Sequence, residues 1–189
     1  MLWKTTALIV TLAIAPNAAA QVVTPPAVPA NLEVPDGNWY LMARAEGTQN
    51  YVCVPTSAGH TWMFFGPQAT LFGDGDQQVM THFLSPNPNP AEGGTPRATW
   101  QHSGDTSAVW AAAIANSTDS SFVAPGAIPW LLLRVVGSEE GLGGTLTATT
   151  YIQRVNTAGG IAPVTGCKSA KDTGKKALVP YSTDYVFYR

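Results

Sequence analysis

The sequence predicts an all-β fold: a single antiparallel β-sandwich or barrel-like domain with about nine short strands and one disulfide. Only 12% of the 189 residues are charged, whereas glycine and proline number 18 and 15. This composition is typical of short strands joined by turns. Period-two patterns recur at intervals of roughly 10–15 residues without helices between them, which favours antiparallel pairing.

Each strand candidate is a short run rich in β-branched or aromatic residues and bounded by Gly, Pro, Asn or Asp. The first of them alternates Tyr40, Met42 and Arg44 with the residues between them. A long loop rich in Pro, Asn and Gly occupies residues 85–95. The nine candidates are 39–46, 49–54, 60–65, 78–84, 97–102, 108–114, 129–136, 145–154 and 183–188.

Residues 1–20 have the order of features found in a cleavable signal peptide. Lys4 precedes an apolar stretch at 5–15, Pro16 interrupts it, and three alanines end at Ala20. The apolar stretch is shorter than the roughly 20 residues needed to span a bilayer. The alternative is a buried N-terminal helix. Export predicts a secreted protein, extracellular or periplasmic, that begins at Gln21.

The remaining chain divides into a Pro-rich, extended lead-in at 21–36 and one β domain at 37–189. No later apolar run is long enough for a membrane span, because Pro129 and Arg134 interrupt the longest. The formal net charge of −2 offers no basic surface for nucleic acid. No cofactor is predicted.

Cys53 and Cys167 are the only cysteines of the chain. In an oxidising compartment, two cysteines most simply pair with each other. Two independent buried thiols are the alternative. Pairing would require the strand that carries Cys53 to approach the C-terminal region.

A series of motifs runs through the mature chain in a fixed order. It comprises GTQNYVC at 47–53, Trp62, PQATL at 67–71, THF at 81–83, Trp100, DTSAV at 105–109, IPWLLL at 128–133, IQRVNTAGG at 152–160, Pro163, Cys167 and VPYSTDYVFY at 179–188. The series resembles the DUF3455 family of secreted bacterial and fungal proteins of unknown function, from about Val34 to Tyr188. The loop at 85–96 is long for that pattern. The resemblance implies export and a Cys53–Cys167 disulfide, and it carries no catalytic residues.

Two histidines and one carboxylate form the best candidate for metal or hydrolytic chemistry. Pairing of neighbouring strands would bring His82 close to His102, and Asp105 follows shortly after. Two His and one carboxylate suit a transition metal. The alternative is that each side chain makes ordinary hydrogen bonds, and the spacing favours that interpretation, so no metal is predicted. No nucleophile motif is present.

The tryptophans offer a second kind of candidate site. Trp100 and Trp110 flank a polar turn, and exposed aromatic rings on a β-scaffold stack on sugars. The alternative is that both fill the core, as Trp130 does within an apolar run. The candidate ligand-binding residues are therefore Trp100, His102, Asp105, Trp110 and His82.

Three functions are compatible with these patterns. The leading hypothesis is a non-catalytic, surface-associated domain that binds a polysaccharide or a cell-surface partner. The second is a secreted metal-dependent or hydrolytic enzyme that uses His82, His102 and Asp105. The third is a structural component of an envelope or matrix.

Overall fold

A computed structural model describes residues 24–189. The predicted signal peptide and its cleavage site lie outside the described residues. Eight antiparallel strands close into a barrel in which each strand pairs with its neighbours in chain order and β8 pairs with β1. The strands are β1 (Trp39–Thr56), β2 (Gly59–Phe72), β3 (Gln78–Pro86), β4 (Pro96–His102), β5 (Ala108–Ser117), β6 (Trp130–Glu139), β7 (Tyr151–Gly159) and β8 (Lys176–Tyr188).

The all-β prediction is confirmed, and the architecture is a barrel. Eight strands are present instead of nine because the first two candidates form one continuous strand, β1. Gly47 lies inside it, where a Cβ would come within 2.0 Å of the Gln68 carbonyl oxygen. The glycine therefore permits close approach of β1 and β2, and the turn expected at this point does not form.

The barrel has an inner and an outer apolar layer, as alternation along each strand requires. The inner layer includes Leu71, Met80, Val109, Ile152 and Phe187. The outer cluster consists of Leu32, Val123, Ala127, Trp130, Leu132, Val155 and Val186, with partly buried neighbours around it.

The Pro-rich lead-in covers this outer cluster. A 3₁₀ turn at Ala30–Leu32 buries Leu32 completely. The Nε2 of Gln153 donates to the Leu32 carbonyl oxygen at 2.7 Å, and the Nδ2 of Asn31 donates to the Asn116 carbonyl oxygen at 2.8 Å. The segment is thus fixed against the barrel wall. Within residues 24–189, no helix is long and apolar enough to cross a membrane.

One disulfide joins β1 to the loop before β8. Cys53 and Cys167 have a Cα–Cα distance of 5.5 Å. The backbone of Cys53 also exchanges hydrogen bonds of 2.9 Å with Gly174 and Lys175. The end of the long β1–β2 hairpin is therefore tied to the C-terminal part of the chain.

A loop closes the barrel at the β4–β5 end. Residues 145–150, expected as the start of a strand, precede β7 and place Leu146 in the inner core with no exposed surface. Asp105 in the β4–β5 turn accepts a hydrogen bond from the Thr145 amide at 2.9 Å. The Ser107 hydroxyl accepts one from the Leu146 amide at 3.1 Å. These bonds fix the loop over this end of the barrel.

Candidate functional site

The barrel interior is incompletely filled at the end opposite this loop. A cavity of about 220 Å³ lies there. Small side chains on neighbouring strands create the space, because Ala98 of β4 pairs with Ala111 of β5. The lining residues are Gln49, Phe64, Pro67, His82, Leu84, Pro96, Arg97, Ala98, Trp100, Ala111, Ala112, Ala113, Leu131, Leu133, Arg154 and Tyr185.

The cavity opens towards solvent between apolar side chains. Phe64 and Leu84 line it and are 46% and 39% exposed. Pairing of β2 with β3 ends at Ala69 opposite His82, and beyond that point each strand follows its other neighbour. A second groove of about 570 Å³ occupies the gap and shares Pro67, His82 and Leu84 with the cavity. Backbone pairing of β2 with β3 therefore stops at His82, and beyond it the Leu84 side chain lies against Gly66.

His82 lies on the inner face of β3 among aromatic rings. Its imidazole stacks on Trp100, with 4.2 Å between ring centroids, and meets Tyr185 edge-on at 5.1 Å. Its Nδ1 is 2.8 Å from the Thr99 carbonyl oxygen. Since a carbonyl only accepts hydrogen bonds, Nδ1 carries the proton. Burial lowers the pKa of His82 to about 3 against the effect of this bond, and the charge of Arg154 lowers it further. The ring is neutral at physiological pH.

Two buried donors near His82 have no hydrogen-bond partner among the described residues. They are Nε2 of Gln49, which is 3% exposed and whose side chain lies near the Tyr181 phenol, and Nε1 of Trp100, which is 1% exposed. A buried polar group without a partner costs about 1–3 kcal/mol. Both side chains line the cavity. An acceptor placed in the cavity can satisfy such donors.

Tyrosine hydroxyls continue this polar region. The hydroxyls of Tyr181 and Tyr185 are 3.5 Å apart. Burial raises the pKa of Tyr185 in opposition to the charge of Arg154, and it also raises the pKa of Tyr181. Both phenols therefore stay protonated. The site combines an apolar wall with neutral donors and two arginines, Arg97 and Arg154.

Comparison with known protein families finds a match that covers most of the chain. Residues 35–189 match the family described as "Protein of unknown function (DUF3455)". The chain belongs to the DUF3455 family. The match spans all eight strands and both cysteines of this DUF3455 protein. No curated protein and no solved structure matches it.

In this DUF3455 member, the histidine pair and the carboxylate do not form one site. His82 pairs in register with Trp100, whereas His102 pairs with Met80 nearer the closed end. His102 is instead beside Asp105, with 3.0 Å between Nδ1 and Oδ1. Residues 24–189 contain no cluster of three His, Cys, Asp or Glu side chains that could hold a metal ion.

Ser107 completes a Ser–His–Asp cluster that lacks the geometry of a catalytic triad. The Ser107 hydroxyl donates to Asp105 Oδ1 at 2.7 Å, and the imidazole of His102 approaches the same oxygen. In a triad, the serine would face the histidine. Partial burial raises the pKa of Asp105, but hydrogen bonds from Thr145 and Ser107 outweigh it and place the pKa below its usual range. The cluster holds the closing loop.

Neither candidate tryptophan presents a face to solvent. Trp100 is 1% and Trp110 is 6% exposed. Trp110 donates through Nε1 to the Ser85 hydroxyl at 2.8 Å. Burial, the alternative to an exposed sugar platform, is therefore what the structure supports: Trp110 is buried beside Ser85, and Trp100 forms part of the cavity wall.

Sequence reasoning missed three residues of the cavity as functional candidates. Gln49, Arg154 and Tyr185 belong to the motifs that resemble the family, but their residue types alone indicate no role. The available signal was positional: Gln49 continues the inward-facing series of Ala43 and Ala45 on β1. A polar residue in an inward-facing series indicates a polar patch inside the barrel.

Proposed function

We propose that this protein is a non-catalytic binding domain that holds a small, mainly apolar molecule in the cavity of its barrel. The observation that carries the proposal is the coincidence of an unfilled interior with buried donors that have no partner. Gln49 and Trp100 supply these donors. Binding sites for small molecules have this character, a largely apolar wall with a few placed polar groups.

The dimensions favour a compact ligand. An apolar cavity of about 150 Å³ holds benzene, and the cavity here is about 220 Å³. A molecule somewhat larger than benzene fits, with room towards the groove beside His82. A compact ligand replaces the polysaccharide suggested by the sequence, because a polysaccharide chain would need an exposed platform.

The proposed setting is outside the cytoplasm. The disulfide between Cys53 and Cys167 is compatible with an oxidising compartment. The exposed Phe64 and Leu84 at the entrance provide a first contact for an apolar molecule that arrives from solvent.

Titration with phenylpropionamide tests the proposal. This neutral probe has an aromatic ring for the cavity wall and an amide oxygen to accept from the buried donors. Isothermal titration calorimetry should show one saturable site in the wild type. Ala111→Phe fills the cavity and should weaken binding at least tenfold, because Ala111 is a buried part of its wall.

Ala170→Phe is the matched control, since it adds the same group at an exposed position away from the cavity. It should bind as the wild type does. Ala111→Leu serves if the larger substitution prevents folding. Absence of saturable binding in the wild type, or equal binding by both phenylalanine variants, contradicts the proposal and favours the structural alternative.

A further inference from the structure

Arg154 is a cation without an anionic partner at the wall of the cavity. Its Nε and Nη2 donate to the Pro129 carbonyl oxygen at 3.2 and 2.8 Å. A carbonyl is a neutral acceptor. None of the ion pairs among residues 24–189 includes Arg154.

The rest of the cavity wall does not balance this charge. The wall contains no Asp or Glu. The other arginine there, Arg97, is already paired with Glu92 at 2.6 Å. His82 is neutral. It therefore does not compete with Arg154 for an anion, and it carries no negative charge that could pair with Arg154. A partly buried charge without a counter-charge is costly, and an anion from outside can reduce that cost.

The arginine lies on the same wall as the hydrogen-bonding groups of the cavity. Arg154 pairs in register with Tyr185 on β8 and with Leu131 on β6. An anionic group at Arg154 would therefore lie beside the Tyr185 phenol, while the apolar part of the molecule contacts alanine and leucine side chains. Guanidinium favours planar, two-oxygen acceptors such as carboxylates.

We infer that the natural ligand is a small apolar acid whose carboxylate pairs with Arg154 inside the barrel. This inference rests on the proposed function, because it specifies the head group of the molecule in the same cavity. The Gln49 amide is the neutral donor available to the second carboxylate oxygen or to a further acceptor on the ligand.

Comparison of phenylpropionate with phenylpropionamide tests the head group alone. The two probes have nearly the same shape and differ in charge. A hydrogen bond to a charged group contributes about 1.5–3 kcal/mol, which corresponds to roughly 10–150-fold in affinity. In calorimetry at neutral pH, the wild type should therefore bind the acid at least tenfold more tightly than the amide.

Arg154→Met should reduce this ratio to near one while the amide still binds. Arg134→Met is the matched control, because it removes the same charge from an exposed position of β6. The control should keep the wild-type ratio. If Arg154→Met does not fold, the Arg154 Nε–H resonance of the wild type replaces it and should shift with the acid and not with the amide.

The possible outcomes distinguish failure of the carboxylate inference from failure of the proposed binding function. Equal or weaker binding of the acid, an unchanged ratio in Arg154→Met, or an unmoved Arg154 resonance overturns the carboxylate inference and leaves the binding function standing. Failure of both probes to bind overturns both.

Discussion

His82 is a histidine kept neutral by its surroundings. It stacks on Trp100, and its Nδ1 proton is held by the Thr99 carbonyl. Burial disfavours the protonated ring and is the main reason for the low pKa of His82, and the positive charge of Arg154 acts in the same direction. A neutral imidazole here acts as a flat, polarisable part of the cavity wall, and its Nε2 remains an acceptor.

The buried His82 should make stability depend on pH. The unfolded chain binds a proton on this residue near pH 6.5, whereas the folded state does so only near pH 3. Folding stability therefore falls as the pH decreases through this interval. When the pH is lowered from 8 to 5, the titration of His82 should reduce the free energy of unfolding by roughly 2 kcal/mol.

Urea unfolding of the wild type and of His82→Gln at both pH values measures this contribution. The stability difference between the two proteins should shrink by about that amount on going to pH 5. His60→Gln is the control for the loss of an imidazole at a position outside the cavity. A His82→Gln difference that is the same at both pH values would show that His82 titrates normally.

Among the elements, the long β1–β2 hairpin has the clearest structural role. β1 pairs with both β2 and β8 along most of its length. The disulfide clamps the far part of this hairpin, where Trp62 also donates to the Thr165 carbonyl oxygen at 2.9 Å. Phe64 at the cavity entrance is part of the same hairpin. The disulfide therefore supports the mouth of the cavity.

Removal of both cysteines should destabilise the protein substantially. The bond joins residues 114 apart in sequence, and closing a loop of that size contributes roughly 3–5 kcal/mol. Urea unfolding of the Cys53→Ala/Cys167→Ala variant should show a loss of this size. Wild type treated with a reductant serves as the control and should behave similarly. A loss below about 1 kcal/mol would mean that backbone pairing alone holds the hairpin.

Much of the element pattern could be predicted from the sequence, since alternation and turn residues report local conformation. Four of the eight strands, β3 to β6, have a candidate at their position and of similar length, whereas the candidates for β2 and β8 cover less than half of the strand. The continuity of β1 could not be predicted, because Gly47 marks close strand approach as well as a turn. The loop before β7 carries a strand-like composition, but hydrogen bonds to Asp105 and Ser107 fold it over the barrel end.

At the scale of the whole molecule, the barrel has one sealed and one open end. Leu146 and the Asp105 cluster seal the first end, and small alanines leave the second unfilled. The site could not be predicted from local patterns, because its members come from all eight strands and become neighbours only when the barrel closes. The histidines are candidate functional residues by their type alone, whereas Gln49 and Arg154 become candidates only through their position inside the barrel.

NMR titration of the wild type with phenylpropionamide tests the binding cavity most directly. The indole N–H resonance of Trp100 and the side-chain amide of Gln49 report on the two donors that lack partners. If the barrel interior is the ligand site, both resonances shift and saturate together with those of neighbouring inward-facing residues. If they stay unchanged at saturating probe, or if the shifts map to the outer surface alone, the interior is not the binding site.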